Sequence, residues 1–146
     1  MFIREARRQV SFFFRKVRNT YFRIMGIDVG KNVFISYGAW LDIQDGKIII
    51  EDNVRITNGC KVLSHDHSAW ITRGGKDICS VTTIKEGAFI GMNAIVLPGI
   101  TVGKYAVVGA GCVISKDVPD GAILVGQSNR IVKMKNLDTG KYEKLK

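Results

Sequence analysis

Both histidines of the chain lie in one short polar segment, Ser64-His65-Asp66-His67. An imidazole is largely neutral at pH 7 and can take a proton from a hydroxyl group, which makes His65 a candidate general base. His67 follows two residues later, so an extended backbone would place both rings on the same side. The His-x-His spacing is also common among zinc ligands, but a site of three histidines would need one more than the two in this chain. Asp66 is a candidate to orient an imidazole, with a solvated loop position as the alternative.

The elements that must position this segment follow a six-residue period. Aliphatic residues recur in two blocks, namely Val29, Ile35, Leu41, Ile50, Ile56 and Val62, and then Ile84, Ile90, Val96, Val102, Val108 and Ile114. The first block slips by three residues around residues 45–47. Such a period fits a short strand followed by a turn, three of which close a triangular coil around an aliphatic axis. The repeat predicts an all-β coil over residues 28–132 that is interrupted beside the histidines by a loop at 66–83, where functional residues concentrate.

Small residues occupy a second fixed position of the hexad, four residues after the aliphatic one. In the later block its members include Ala88, Ala94, Ala106 and Cys112. Cys60 and Cys112 both fall in this position, which predicts buried wall residues and not reactive thiols. The three cysteines form no C-x-x-C pair and leave one over, so we expect a reducing, cytoplasmic environment.

The formal net charge of +9 is concentrated at the two ends of the chain. Residues 1–25 have seven Arg or Lys against Glu5, residues 130–146 have six against two acidic residues, and the span between has nine against ten. Neither end interleaves aromatic and basic residues as RNA-binding proteins do, or matches a DNA-reading motif, so no nucleic-acid partner is expected. The basic C-terminal tail, residues 133–146, is polar and without periodicity, and we expect it to be partly disordered.

Residues 1–27 show the pattern of an amphipathic basic helix. Apolar residues recur at spacings of three and four, namely Ile3, Ala6, Val10, Phe13, Val17, Tyr21 and Ile24. One use of such a helix is to pack across the open end of the coil and hide its backbone edge. The other is to lie on the anionic inner surface of a membrane, because Phe12, Phe14 and Phe22 stand beside the basic residues. The sequence has no run of 18 apolar residues, so it does not predict a membrane-spanning segment.

Two stretches of the coil carry a family resemblance, Ile90-Gly91-Met92-Asn93-Ala94-Ile95-Val96-Leu97-Pro98-Gly99 and Val108-Gly109-Ala110-Gly111 through Ser115-Lys116-Asp117-Val118-Pro119. Residues 28–133 resemble the hexapeptide-repeat acyltransferases, most closely the maltose and galactoside O-acetyltransferase branch and related polysaccharide O-acetyltransferases. The resemblance implies a left-handed parallel β-helix, a homotrimer with sites between subunits, and acetyl-CoA as the donor substrate.

The resemblance also implies roles for particular residues. His65 matches the family's general base, and Ser36, Asp42, Asp66 and His67 are the expected acceptor-binding residues. Ser36 stands where the family has an Asn, and a turn-capping role is the alternative for Asp42. The small residues expected to admit the pantetheine arm of CoA are Gly91, Ala110 and Gly111. The polar and basic residues expected near its nucleotide end are Ser115, Lys116, Arg130 and Lys133, with Gln127-Ser128-Asn129 replacing the family's usual Pro before the Arg.

The function implied is transfer of an acetyl group from acetyl-CoA to a sugar hydroxyl, in a surface polysaccharide precursor that is built on a lipid carrier. No metal is expected in the site. Two alternatives stay open from the residues alone. One is a zinc hydro-lyase of the gamma carbonic anhydrase type, which shares the coil. The other is a non-catalytic β-helix scaffold, which would need neither a histidine beside the loop nor the basic residues at 116, 130 and 133.

Overall fold

Two-residue strands separated by tight turns make up most of the chain. The computed structural model describes residues 2–44, 46–68, 78–126, 130–136 and 138–144. A single helix, α1 (Phe2–Ile24), precedes the strands. In chain order the strands are β1 (Asp28–Val29), β2 (Phe34–Ile35), β3 (Trp40–Leu41), β4 (Lys47–Ile50), β5 (Arg55–Ile56), β6 (Lys61–Val62), β7 (His65–Asp66), β8 (Ile78–Cys79), β9 (Val81–Ile84), β10 (Phe89–Ile90), β11 (Ile95–Val96), β12 (Thr101–Val102), β13 (Val107–Val108), β14 (Val113–Ile114), β15 (Ala122–Val125), β16 (Arg130–Lys135) and β17 (Tyr142–Lys144).

Three parallel sheets form the sides of a triangular coil. Sheet A has the order β1-β4-β9-β12, and sheet C the order β14-β11-β6-β3. Sheet B runs β2-β5-β10-β13-β15 and continues into β16 and β17. Each full turn of the chain contributes one strand to each sheet, so β1 to β3 form the first coil and β4 to β6 the second. The predicted parallel β-helix is confirmed. We call the turn from sheet A to B the first corner, that from B to C the second, and that from C to A the third.

The aliphatic residues of the six-residue period lie along the axis of the coil. The six aliphatic residues of the later block are all completely buried, namely Ile84, Ile90, Val96, Val102, Val108 and Ile114. The small position is buried too, and Cys60 donates its thiol to the carbonyl oxygen of Gly91 at 3.0 Å. Cys60 and Cys112 are therefore the wall residues that the sequence predicts.

Close stacking of the coils determines which residue types the corners accept. Asn93 and Gly111 have positive φ angles of 56° and 70°, a region that favours Asn and Gly. At Gly91 the constraint is space, because a Cβ there would lie 2.6 Å from the backbone nitrogen of Ala110 in the next coil. The phase-locked glycines therefore satisfy the packing of neighbouring coils as well as the turn geometry.

The C-terminal half of α1 covers the backbone edge of the first coil. Arg23 donates from Nε to the carbonyl oxygen of Val29 and from Nη2 to that of Gly30, both at 2.8 Å. Asn19 donates to Val33 at 3.0 Å, and Arg18 donates to the carbonyl oxygens of Ser36 and Ala39. These carbonyls have no strand beyond them to pair with, so the side chains take the place of a further coil. The end-capping prediction for α1 is confirmed.

The face of α1 that docks is not the apolar face that the sequence suggests. Phe22 is buried, but the stripe residues of the described part all stay exposed, namely Val10, Phe13, Val17, Tyr21 and Ile24. The reason is physical: the open coil end presents unpaired carbonyl oxygens, which hydrogen-bond donors satisfy and apolar side chains cannot. Among the described residues no helix is both long and apolar enough to cross a bilayer.

The end of the chain is more ordered than its sequence suggests. β16 pairs antiparallel with β15, and β17 pairs antiparallel with β16, so the described part of residues 130–144 extends sheet B. The expectation of a partly disordered tail is wrong for these residues. Backbone pairing with an available sheet edge supplies order that composition does not reveal.

Candidate active site

The third corner of the first two coils holds a buried carboxylate against an imidazole. Strand β3 pairs with β6 so that Leu41 lies opposite Val62. This register brings Asp42, the next residue, beside Ser64 and His65. The Asp42 side chain is 0% exposed, and its Oδ2 forms a hydrogen bond with Nδ1 of His65. Because an ionised carboxylate only accepts, Nδ1 carries the proton, and Nε2 of a neutral His65 keeps its lone pair.

Hydrogen bonds from four donors hold Asp42 in place. Oδ2 also accepts from the backbone nitrogen of Ser64 at 3.1 Å and from its hydroxyl at 3.0 Å, while Oδ1 accepts from the backbone nitrogen of Gln44 at 3.2 Å. Burial alone would raise the pKa of Asp42, but these bonds and the one from His65 favour the charged form and outweigh it. The pKa of Asp42 is therefore below its usual value, and the site keeps a fixed negative charge behind the imidazole.

His65 is anchored at the base of the loop. β7 pairs antiparallel with β8 in the register His65 with Cys79 and Asp66 with Ile78. Ser80 then donates to the carbonyl oxygen of Ser64 at 2.9 Å, and the coil resumes at Val81. The loop therefore ends at Ser80, three residues before the end of the predicted loop at 66–83. The two-stranded stem of β7 and β8 holds His65 between the coil and solvent, and the His65 side chain is 18% exposed.

The structure separates the roles expected of the two aspartates. Asp42 was expected to bind acceptor hydroxyls, but its complete burial and its hydrogen bonds place it behind His65. Asp66 was a candidate to orient an imidazole, yet its Oδ1 accepts from the backbone nitrogen and hydroxyl of Ser68 at 2.9 and 2.6 Å. His67 is exposed, with its ring centroid 6.3 Å from that of His65 and nearly perpendicular to it.

The residues expected to admit CoA lie at the second corner. A groove of about 540 Å³ crosses several coils there and is lined by residues that include Ser36, Gly91, Met92 and Ala110. Gly111 follows at the same corner, where an added Cβ would meet no atom within 4 Å. Ser36, which was expected in the acceptor site, therefore lies in the same groove as the residues expected to bind CoA. Within one chain the whole width of sheet C separates this groove from His65.

Among the expected nucleotide-binding residues whose side chains the structure describes, Ser115 and Lys116 lie apart from Lys133. Ser115 and Lys116 are exposed at the third corner of the fourth coil, just after β14. Lys133 is exposed on β16, at the extended edge of sheet B. The side chain of Arg130 lies outside the described residues, as do Gln127-Ser128-Asn129.

Metal ligands are not grouped in the part of the chain that the structure describes. No three side chains among its His, Cys, Asp and Glu residues come close enough to hold an ion together. His65 also directs one ring nitrogen at a carboxylate, which leaves one nitrogen for any further partner.

Comparisons with known proteins agree with this geometry. Residues 82–116 match the family described as bacterial transferase hexapeptide (six repeats). The chain is 27% identical over 109 residues to galactoside O-acetyltransferase of Escherichia coli, covering 73% of this chain and 53% of that one. It is 34% identical over 113 residues to YvoF of Bacillus subtilis, named as an acetyltransferase, covering 77% and 63%.

Solved structures give the same result. A hexapeptide-repeat acetyltransferase of Vibrio cholerae superposes with a TM-score of 0.67 at 28% identity, covering 75% of this chain and 62% of that one. A galactoside acetyltransferase solved in complex with coenzyme A gives 0.67 at 25% identity, covering 76% and 56%. The chain spans roughly half to two thirds of the length of the first relatives it matches. The chain belongs to the hexapeptide-repeat acyltransferase family, whose coil is a left-handed parallel β-helix.

Proposed function

We propose that this protein transfers the acetyl group of acetyl-CoA to a sugar hydroxyl, with His65 as the general base. The observation that carries the proposal is the hydrogen bond from Nδ1 of His65 to the buried carboxylate of Asp42. Asp42 fixes the tautomer in which Nε2 is basic and stabilises the imidazolium that forms when the ring takes a proton. The neighbouring galactoside acetyltransferase, solved with coenzyme A, supports this donor and acceptor class.

The reaction follows from this tautomer. Nε2 takes the hydroxyl proton as the acceptor oxygen attacks the thioester carbonyl carbon. The tetrahedral intermediate then collapses with cleavage of the carbon–sulfur bond, and the imidazolium returns the proton to the departing thiolate. The acetyl ester and free CoA are the products, and His65 ends in its starting state.

Direct transfer has one rival within the same geometry. Cys79 is exposed and lies opposite His65 in the register of the stem, where a thiol could form an acyl-enzyme first. Cys60 and Cys112 are buried and cannot serve. Direct transfer predicts that Cys79→Ser keeps kcat within about threefold, and that no burst of CoA release precedes acceptor addition.

The test of the function is CoA release across a panel of nucleotide sugars and simple glycosides. Acetyl-CoA should also protect the protein thermally, since a ligand at a hundredfold excess over its Kd adds about 2.7 kcal/mol to stability. A non-catalytic scaffold would show neither effect at millimolar CoA. CoA release that requires both a glycoside and His65 would establish both the reaction and the base.

We further propose that the enzyme is a homotrimer with its sites between chains. The supporting observation is that the groove with Gly91 and Ala110 lies at one corner of the coil, while His65 lies at another. A neighbouring copy that brings its second corner against this third corner would complete the site. Ser115 and Lys116 would then reach the nucleotide end from one chain and Lys133 from another.

We also propose that the enzyme works in the cytoplasm at the inner face of the membrane. The exposed stripe of α1 includes Phe13 and Ile24, 63% and 78% exposed, on a segment with seven basic residues and one acidic residue. An apolar stripe with surrounding positive charge suits the interface of an anionic bilayer. Co-sedimentation with anionic vesicles should weaken with salt, and Phe13→Ser with Ile24→Ser should abolish it.

A further inference from the structure

Arg15 lies on the docked face of α1 but does not cap the coil. Arg18 and Arg23, about one and two helical turns later, donate to backbone carbonyl oxygens of the coil end. Arg15 is half-buried, and among the residues that the structure describes none accepts a hydrogen bond from its guanidinium or forms an ion pair with it. The guanidinium lies instead over the rings of Phe12 and Phe34, at 5.0 and 6.0 Å from their centroids. Aromatic faces contact the plane of a guanidinium and leave the N–H groups on its edge for another acceptor.

Arg15 and Arg18 line one cavity of about 250 Å³ between α1 and the second corner of the first coil. Three residues with hydroxyl groups belong to the same lining, namely Ser11, Ser36 and Tyr37. No acidic residue is among the described residues that line it. Burial lowers the pKa of Arg18, because the charged guanidinium is desolvated there without a carboxylate to compensate it. The cavity therefore combines two cations with hydroxyl groups and lacks a counter-ion from the protein, which is the composition of an anion site.

The cavity meets the groove of the second corner. Phe34 and Ser36 line both spaces, so the two are continuous at the first coil. A cleft that encloses a whole small molecule usually has about 300 to 1,000 Å³, which the groove reaches with about 540 Å³ and the cavity does not. The cavity therefore suits one end group of a ligand whose remainder lies in the groove.

We propose that this cavity binds a phosphate group at the end of a ligand that occupies the groove. A phosphate presents more acceptor oxygens than a carboxylate, and the lining offers the forked edge of Arg15 together with several hydroxyl groups. The phosphate has two sources under the proposed function, the phosphates of CoA and a phosphate on the sugar acceptor. The binding site itself does not depend on acetyl transfer.

Two pairs of probes test the site and separate the sources. CoA and pantetheine differ by the nucleotide with its phosphates, and galactose 1-phosphate and galactose differ by the phosphate alone. Calorimetry measures the binding of each probe to the full chain. Arg15→Gln should weaken the phosphorylated member of one pair at least about tenfold and its neutral partner less than about twofold, because a forked, charge-assisted contact is lost. A loss confined to galactose 1-phosphate assigns the phosphate to the acceptor, and a loss confined to CoA assigns it to the donor.

Three further variants locate the effect. Lys16→Gln removes the same charge from the next residue of α1, which is not among the lining residues, and should change every affinity less than about twofold. Arg15→Lys keeps the charge without the fork and should recover only part of the loss. Ser11→Ala removes a lining hydroxyl while favouring the helix, and should weaken the same probe by about threefold. Thermal unfolding verifies that each variant is folded, and Ser11→Ala keeps the test valid even if replacement of Arg15 disturbs the helix.

Two outcomes would overturn the phosphate site. The first is an unchanged affinity of the Arg15→Gln and Ser11→Ala variants for both phosphorylated probes. The second is an equal loss in Lys16→Gln, which would assign the effect to the overall charge of α1. The proposed function fails separately, if phosphate binds as described but no acceptor ever yields free CoA.

Discussion

The second and third corners of the coil are built from opposite kinds of residues. The third corner fixes ionisable side chains, with Asp42 completely buried and hydrogen-bonded to His65. The second corner offers an open groove between small residues such as Gly91 and Ala110. Proton transfer requires oriented side chains, whereas a thin extended donor requires space. Under the proposed function, the chain would carry the two halves of an acyl-transfer site on separate corners of the coil.

Replacement of the base should have the largest effect and leave the second corner unchanged. His65→Ala should lower kcat by about 10² to 10⁴ with little change in CoA affinity, because it removes only the general base. His67→Ala is the matched control and should cost about tenfold or less. Steady-state kinetics with CoA binding measures both. A zinc site would instead lose activity with either substitution and with a chelator, and full activity of His65→Ala would sink the mechanism.

Asp42→Asn tests whether the third corner works as a unit. The amide would donate to Nδ1 and drive the imidazole into the tautomer whose Nε2 carries the proton, so kcat should fall by about 10². Asp66→Asn is the same isosteric change at a carboxylate that accepts hydrogen bonds from Ser68. It should keep kcat within a few-fold. If Asp66→Asn is the more harmful of the two, the orienting carboxylate has been misassigned.

Ala110→Leu tests the second corner by itself. Ala110 is exposed in the groove, so a larger side chain fills the space without disturbing the axis. We expect about a tenfold weaker affinity for CoA and a nearly unchanged kcat at saturation, since uniform binding is lost and chemistry is not.

Assemblies mixed from His65→Ala and Ala110→Trp chains should regain activity that neither parent has. No recovery on mixing would place the whole site within one chain.

The smallest effect is on acid stability. Because the native-state pKa of Asp42 is lowered, its charge stabilises the fold above the unfolded-state pKa, and this contribution is lost as pH falls towards the native value. Wild type should therefore exceed Asp42→Asn in unfolding free energy near neutrality, by about 1 to 3 kcal/mol for a buried network. The gap should shrink below about pH 4. Urea unfolding at a series of pH values measures it, and a constant gap would contradict the assignment.

The six-residue period determined the coil without help from the structure. Burial on the axis repeats with the backbone, so Ile84, Ile90 and Val96 reveal the architecture through local pattern alone. The same holds for the position of His65 beside the loop, because an interruption of a regular repeat is visible in the sequence. Cys60 and Cys112 were placed correctly for the same reason.

Tertiary structure decided the pairing of Asp42 with His65, which are 23 residues apart. Stacked coils bring equivalent corners together, but the slip around residues 45–47 and the stem at β7 and β8 determine which residues meet. The register of Leu41 with Val62 is the signal that could have found the pair, since it sets Asp42 opposite Leu63, next to Ser64 and His65. The sequence alone leaves that register open.

The docking of α1 was also beyond the sequence, for a physical reason. The hydrophobic pattern identifies an apolar face, and burial of that face is the usual outcome. Here the coil end presents the unpaired carbonyl oxygens of residues such as Val29 and Val33, and Arg23 and Asn19 satisfy them. The sequence therefore determined the helix and the coil, whereas the unsatisfied backbone of the coil end decided which face of the helix packs and which stays exposed.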